Sequence, residues 1–369
     1  MIRGISGANL PALRHHNAAL VLDLLRAATR VGTGGISRLE LAERTGLTPQ
    51  AVSKITARLR AEGLAEESGR QASTGGKPRT ELRLVRRARY AAGVHLDRDE
   101  LTVVLADLAG ERVDARTSPL DFGRPADEVL DAVAREVRAL SAGREPGILG
   151  VGVASPGPLD HASGVLHRVT GFPDWDGFPL RDALALRLGL PVVVDKDTNA
   201  AALAVLGGGP DADAGGSFAY LHLGTGLGAG LVIEGALYRG DRTGAGEFGH
   251  QVVQLDGPVC ECGNRGCIEA MCLAAVDRGD TAGAAYLLGV GAANLVLLLD
   301  IDRVVLGGRT VLADEGLFGR EVAAVLSERT ARSVGRTVPV SVASGGVRVV
   351  ADGAALLVLA SLFGGAALG

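Results

Sequence analysis

Cysteine is missing from all but one short window of this 369-residue chain: its four copies lie between Cys260 and Cys272. A disulfide framework spread over the chain is therefore excluded. Aromatic residues are scarce as well, at 3% with a single Trp, so the interior must be built from Leu, Val and Ala. The apolar content of 47% is ample for that, in a chain long enough to predict two or three domains. The opening "MIRGISGANLPALRHHN" lacks the apolar run of a secretory signal. One uncharged run, Thr281 to Leu299, is long enough to span a membrane. It is rich in Gly and Ala, contains Asn294 and leads into the strand-like "DRVVLGG", which fits a buried helix better. The tail "GAALLVLASLFGGAALG" is short and broken by glycine. The expectation is a cytoplasmic protein with no membrane partner, where reduced thiols favour metal over disulfides.

A strong net charge is also lacking, at −4, but the balance is uneven. Residues 1–90 hold 16 Lys+Arg against 7 Asp+Glu, and the remainder holds 22 against 35. A basic module fused to an acidic body is what a nucleic-acid binder with a separate sensing or catalytic part shows.

Within the basic module, "HHNAALVLDLLRAATR" has helical apolar spacing. "SRLELAERTGL" follows with Ser37 as N-cap, Glu40 three residues on, and Gly46 as a stop. "TPQAVSKITARLRAEGL" restarts a helix with Thr48 as N-cap and Pro49 at its first position. Helix, tight turn, helix is the arrangement whose second helix enters the DNA major groove. Thr48, Gln50, Ser53 and Lys54 lie in its N-terminal half, where base edges are reached, and Arg58 is placed for the backbone. "ESGRQASTGGKPRTELRLV" reads as two strands joined by a basic loop, a wing offering Arg70, Lys77 and Arg79 to phosphates or the minor groove. The plainer alternative is a small helical module for protein contacts with solvated cations.

The cysteines have a ligand-like spacing. Cys260 and Cys262 form a Cys-x-Cys pair, four residues separate Cys262 from Cys267, and nine separate His250 from Cys260. Such close neighbours make poor disulfide partners. With Gly257, Pro258, Gly263 and Gly266 turning the chain, the set suggests a tetrahedral, structural zinc site, against the alternative of a reduced, buried cysteine cluster. Cys272 falls off the pattern and is expected in a core.

From Tyr90 onward strands alternate with helices, which indicates an α/β body. The turn "LGTGLGAG" is neither a Walker loop nor a dinucleotide fingerprint. Taken together, "LGTGLGAGLVIEGALYRGDRTGAGEFGH" and "CECGNRGCIE" resemble the signature of the ROK family of repressors, open reading frames and sugar kinases. "ASPGPLD", "DWDGFPL", "DKDTNAAALA" and "VVLGG" fall in that family's order. The resemblance covers nearly all of the chain from Tyr90, and the module before it resembles the winged helix of the repressor branch. It implies an α/β fold: an N-terminal winged helix-turn-helix (1–88), then a two-lobed, actin-like sugar-kinase (ribonuclease H-like) domain. That domain divides into a small lobe (89–200, joined by a C-terminal helix 351–369) and a large lobe (201–350). It further implies zinc held by His250, Cys260, Cys262 and Cys267, and a sugar cleft to which Asp197, Glu247, His250 and Glu269 contribute. Between Cys267 and "VVLGG" the chain looks shorter than typical members.

The family's kinases open with Asp-x-Gly-Gly-Thr, where this chain has "HLDRD" from His95 to Asp99. Acidic side chains repel a polyphosphate, and side chains in place of glycine keep the backbone away from it. Asp197, matching the family's catalytic base, is then a vestigial base and a sugar ligand. Lys196 replaces the usual Asn beside it. Lys196 would favour an anionic sugar derivative, unless it is paired with Asp195 or Asp197. The expected function is a sugar-responsive transcriptional repressor without enzyme activity. It would bind operator DNA as a homodimer or dimer of dimers and take a sugar or sugar derivative as effector. The rival is an ATP-dependent sugar kinase carrying a DNA-binding domain.

Overall fold

The computed structural model describes residues 10–32, 35–70, 80–144, 147–208, 216–331 and 335–363. The N-terminal module comprises α1 (Leu10–Val31), β1 (Ile36–Ser37), α2 (Arg38–Thr45), α3 (Pro49–Ala61), β2 (Ala65–Arg70) and β3 (Thr80–Leu84). The caps act as expected. Ser37 accepts the Glu40 N–H at 3.2 Å, Gly46 ends α2 with φ +69°, and Thr48 accepts the Ala51 N–H at 3.2 Å. The three strands form an antiparallel sheet in the order β1-β3-β2.

The next sheet is built from β4 (Tyr90–Leu96), β5 (Glu100–Asp107), β6 (Arg112–Pro119), β7 (Ile148–Ser155) and β10 (Val192–Lys196) in the order β10-β7-β4-β5-β6. Its connections carry α4 (Ala126–Ser141), the short hairpin β8 (Leu159–Asp160) and β9 (Val165–Leu166), and α5 (Leu180–Leu188). Val129, Val133, Val137, Leu180 and Leu184 of the two helices pack on one face of this sheet. After α6 (Asp197–Gly208) the second sheet runs β13-β12-β11-β14-β15. Its strands are β11 (Phe218–Leu223), β12 (Leu227–Ile233), β13 (Ala236–Tyr238), β14 (Arg303–Gly307) and β15 (Val340–Val342). The helices α7 (Ile268–Asp277), α8 (Thr281–Leu299) and α10 (Glu315–Thr330), with the short α9 (Arg309–Ala313), cover its outer face. The last helix described is α11 (Val349–Leu362).

Helices α6 and α11 form a layer between the two sheets. Ala200 to Leu203 of α6 and Val350, Ala354 and Leu357 of α11 share a core with Phe218, Tyr220, Val232 and Val305. The approach is backbone to backbone, which only glycine permits. A Cβ on Gly152 of β7 would lie 1.8 Å from the Ala354 carbonyl oxygen, and one on Gly353 would lie 1.7 Å from that of Ala200. This explains why β4 is buried along its whole length: both faces are covered. The small-lobe boundary set at residue 200 falls inside α6.

Helix α8 is the one described helix long and apolar enough to cross a membrane. Its residues Ala284, Leu288, Ala292 and Val296 are buried against the second sheet and its neighbouring helices, while Tyr286 and Leu298 are exposed. It is joined to α7 by residues 278–280. The N-terminal module is not a separate bead: Val21, Leu22 and Leu25 of α1 share a core with Ala91, Val104, Ala355, Leu359 and Phe363. The Arg26 guanidinium stacks 4.6 Å from the Phe363 ring centroid.

Candidate functional site: an exposed helix face and an interlobe cleft

On α3, Val52, Thr56 and Leu59 point into the core. Gln50, Ser53, Lys54 and Arg58 project on the opposite, exposed face, as the 3.6-residue period requires. Arg58 leans on Glu62 at 3.7 Å, whereas Lys54 has no carboxylate partner among the described residues. Thr48 is occupied as the helix cap. Two other cations of the module are paired at the surface: Arg60 with Glu67 at 3.0 Å and Arg83 with Glu66 at 2.8 Å. Arg70 is the last residue of β2, its backbone opposite Thr80. Lys77 and Arg79 lie outside the described residues.

Between the two sheets lies a cavity lined from one side by Asp97, Arg98, Gly157, Lys196 and Asp197. His222, Thr225, Glu247, His250 and Glu269 line it from the other. All five residues expected to face a sugar are thus brought to one cavity. Asp197 opens α6, its carboxyl accepting the Thr198 N–H at 2.6 Å. Burial pushes its pKa up to about 7, with the nearby Asp97 and Glu247 carboxylates adding to the effect and the Thr198 bond and Lys196 opposing it. Glu269 accepts the Leu227 N–H at 2.8 Å, tying α7 to the glycine turn. Lys196 takes neither partner weighed from the sequence. Its ammonium donates to the Ala245 carbonyl at 2.5 Å and to Glu247 at 3.1 Å. Asp195 is instead satisfied by Arg239, Asn199 and the Lys196 N–H, each at 2.8 Å.

The turn from His95 to Asp99 holds a network not anticipated from the sequence. Arg309, the first residue of α9, grips Asp99 through both terminal nitrogens at 2.5 and 2.7 Å and Asp97 at 2.5 Å. Thr225 donates to Asp97 at 2.9 Å. Burial opposes ionisation of Asp97, but His95, Arg309 and the Arg98 N–H together hold its pKa down at about 2. Burial pushes His222 down to about 4 and also lowers His95. The only local signal for Arg309 is its place after the "GG" that closes β14, where Gly308 adopts φ +91°.

His250, Cys260, Cys262 and Cys267 converge so that one ligand atom from each lies within 4.8 Å of all the others. Cys262 and Cys267 sulfurs are 3.7 Å apart, and Cys260 Sγ is 3.8 Å from His250 Nδ1. A tetrahedron with metal–sulfur bonds of about 2.3 Å has sulfur–sulfur edges of about 3.8 Å, so the spacing fits a tetrahedral metal. The loop is shaped by Gly266, whose φ is +69° and whose Cβ would collide with the Gln254 carbonyl at 1.6 Å. Cys272 is buried away from the set, near the Ala284 carbonyl.

Comparisons with known proteins agree with this architecture. The model of the ROK family matches residues 91–276, and that of a winged helix-turn-helix DNA-binding domain matches residues 21–66. Among curated proteins, the putative xylose repressor of Caldicellulosiruptor sp. (strain Rt8B.4) is 30% identical over 239 residues, 63% of this chain and 59% of that protein. The DNA-binding transcriptional dual regulator NagC of Escherichia coli (strain K12) is 29% identical over 273 residues, 71% of this chain and 64% of NagC. The chain thus spans about three fifths of the length of these relatives. A ROK family transcriptional regulator described as a homologue of the E. coli MLC protein superposes with TM-score 0.79. The match covers 96% of this chain and 97% of that one at 22% identity, a likeness of fold. A ROK family glucokinase from Streptomyces griseus, solved with glucose and AMPPNP, gives TM-score 0.61 at 26% identity over 73% of this chain and 98% of its own.

Proposed function

The chain belongs to the ROK family and carries an N-terminal winged helix-turn-helix, and from this we propose that it is a sugar-responsive transcriptional repressor. The observation that carries the reading is the course of α6. It begins at Asp197 in the cavity wall and ends beside the DNA-facing module, where the Arg30 guanidinium of α1 donates to the Gly207 carbonyl. One rigid helix therefore joins the cleft to the module. A sugar that prefers one lobe arrangement would shift the orientation of α1 and α3, and it acts only to the extent of that preference. The names of the repressor relatives, for xylose and for N-acetylglucosamine, support a sugar as effector.

The three-part division at residues 88 and 200 goes with this reading. Gln50, Ser53, Lys54 and Arg58, aided by Thr48 and the wing residues Arg70, Lys77 and Arg79, would contact operator DNA. Lys196, Asp197, Glu247, His250 and Glu269 would surround the sugar. Zinc is the metal best suited to one imidazole and three thiolates. Held by His250, Cys260, Cys262 and Cys267, it would be structural, fixing the loop that presents His250 and Glu269 to the cavity. A homodimer would match a palindromic operator, and the protein would work in the cytoplasm. Sugar phosphorylation is disfavoured because Arg309 and two carboxylates fill the turn where a kinase needs room for phosphates.

The test is fluorescence anisotropy on DNA from upstream of the protein's own gene, at fixed salt because salt alone shifts such affinities greatly. A change in affinity caused by one sugar from a panel is the expected result. Binding indifferent to every sugar, or sugar-dependent nucleotide turnover, would overturn the reading.

A further inference from the structure

A lysine ammonium has three donors and no acceptor. In the cleft, two of those donors are spent on the Ala245 carbonyl and on Glu247. The aliphatic stem runs beneath the Pro156–Gly157 turn, where a Cβ on Gly157 would sit 2.9 Å from Lys196 Cδ. With its side chain only 4% exposed, the lysine is fixed in place and its charge is cancelled by Glu247. The rest of the cavity wall carries carboxyl groups: Asp97, already paired with Arg309, Asp197, about half protonated near pH 7, and Glu269 face the same space. His222 is neutral near pH 7, and Arg98 is drawn to Glu261 at 3.7 Å on the rim. The wall thus offers hydrogen-bond acceptors in excess and no uncommitted ammonium. Ligand hydroxyls or an amine meet partners there, whereas a phosphate or carboxylate would be brought towards carboxylates in a partly desolvated site.

We propose that Lys196, locked to Glu247, is a specificity-determining residue that restricts the cleft to uncharged or amine-bearing sugars and excludes sugar phosphates and sugar acids. The sequence alone left Lys196 either favouring an anion or paired with Asp195 or Asp197, because it shows the lysine without its partner 51 positions on. The inference rests on the sugar-sensing reading above and narrows it to a chemical class.

The test is isothermal titration calorimetry on the full-length protein with matched ligands. These are glucose and glucose 6-phosphate, N-acetylglucosamine and its 6-phosphate, and xylose and xylonate, with glucosamine as the amine-bearing probe. In the wild type the uncharged member of the binding pair is expected to bind about 100-fold more tightly than its anionic partner, the order of one uncompensated like-charge contact in a partly desolvated site. Glu247→Gln frees the ammonium, so that ratio should fall by about tenfold or more. Lys196→Gln leaves Glu247 unneutralised, so the ratio should not fall. The ratio is read within each variant, so a general loss of affinity does not obscure it. If one variant fails to fold by circular dichroism, the other decides. An anionic sugar binding the wild type as tightly as its neutral partner overturns the proposal, as does an unchanged ratio in Glu247→Gln. If no sugar of either class binds, the sugar-sensing reading falls and takes this inference with it, an outcome distinct from a preference for anions.

Discussion

Two aspartates facing the same cleft are shifted in opposite directions, and this fixes the sign of their effects on stability. Asp197, raised by burial from 3.8 to about 7, keeps its proton in the folded protein over a range where the unfolded chain has lost it. Its contribution therefore falls as pH rises from about 4 to about 7 and is flat above that. Asp97, held down at about 2, contributes stability above its unfolded value that is lost as pH falls towards 2. Asp197→Asn should flatten the decline in thermal midpoint between pH 4 and 7 and raise the midpoint at pH 8, without changing the acid limb. A thermal-unfolding series from pH 2 to 9 checks both halves. The metal set is also a matter of single side chains. If the proposed zinc occupies it, Cys260→Ser should abolish stoichiometric zinc in the purified protein, measured by atomic absorption, and lower the thermal midpoint, because metal binding and loop folding are linked. Cys272→Ser, at a core residue outside the metal set, should leave that zinc in place.

Elements were legible in the sequence wherever local chemistry defines them. Ser37 with Glu40, Gly46, and Thr48 with Pro49 mark the ends of α2 and α3 before any tertiary contact exists. The period of Val52, Thr56 and Leu59 then decides which face of α3 is left exposed. Lys54→Ala should weaken operator binding by about 1 kcal/mol and reduce the steepness of its salt dependence if the lysine meets phosphate. If it instead reads guanine, the loss should be confined to one base pair, about 1–3 kcal/mol, as competition with point-substituted operators would show. The packing of α11 was less legible, since "GAALLVLASLF" reveals an apolar helix but not the glycines that receive it. Gly152→Val would press a side chain into the Ala354 carbonyl, where even a Cβ lies at 1.8 Å. A loss of about 3 kcal/mol or more in urea unfolding is expected, because both backbones are fixed in buried elements.

At the scale of the molecule, what the sequence hid are pairings set by topology. Lys196 with Glu247, Asp195 with Arg239, and Asp97 with Arg309 join residues from opposite lobes, and no local pattern announces them. The candidate sugar residues could be located because they sit in recognisable motifs, but their charge states could not, because those depend on partners far away in the chain. The Arg309 network has the largest consequence. It joins the two lobes, one end on the β4–β5 turn and the other at the start of α9, with Thr225 adding a second crossing contact. Arg309 is 43% exposed, so solvent screens the pairs and the stability at stake is only about 1 kcal/mol. Its effect on geometry is greater, because few other polar links hold the 97–99 turn to the second lobe. In Arg309→Ala, Asp97 and Asp99 repel each other without a counterion, and the lobes should part more readily. Amide hydrogen exchange should accelerate in the turn at 97–99 and in α9, while α4 and α8, remote from the cleft, stay protected. Ligand affinity should drop by about tenfold, and the sugar concentration that shifts operator binding should rise by the same factor, since closure and ligand binding share one equilibrium. Arg309→Lys, which keeps the charge but cannot hold two carboxylates in a fork, should fall between the two. Unaltered exchange at 97–99 in Arg309→Ala would show that the remaining contacts hold the lobes together without Arg309.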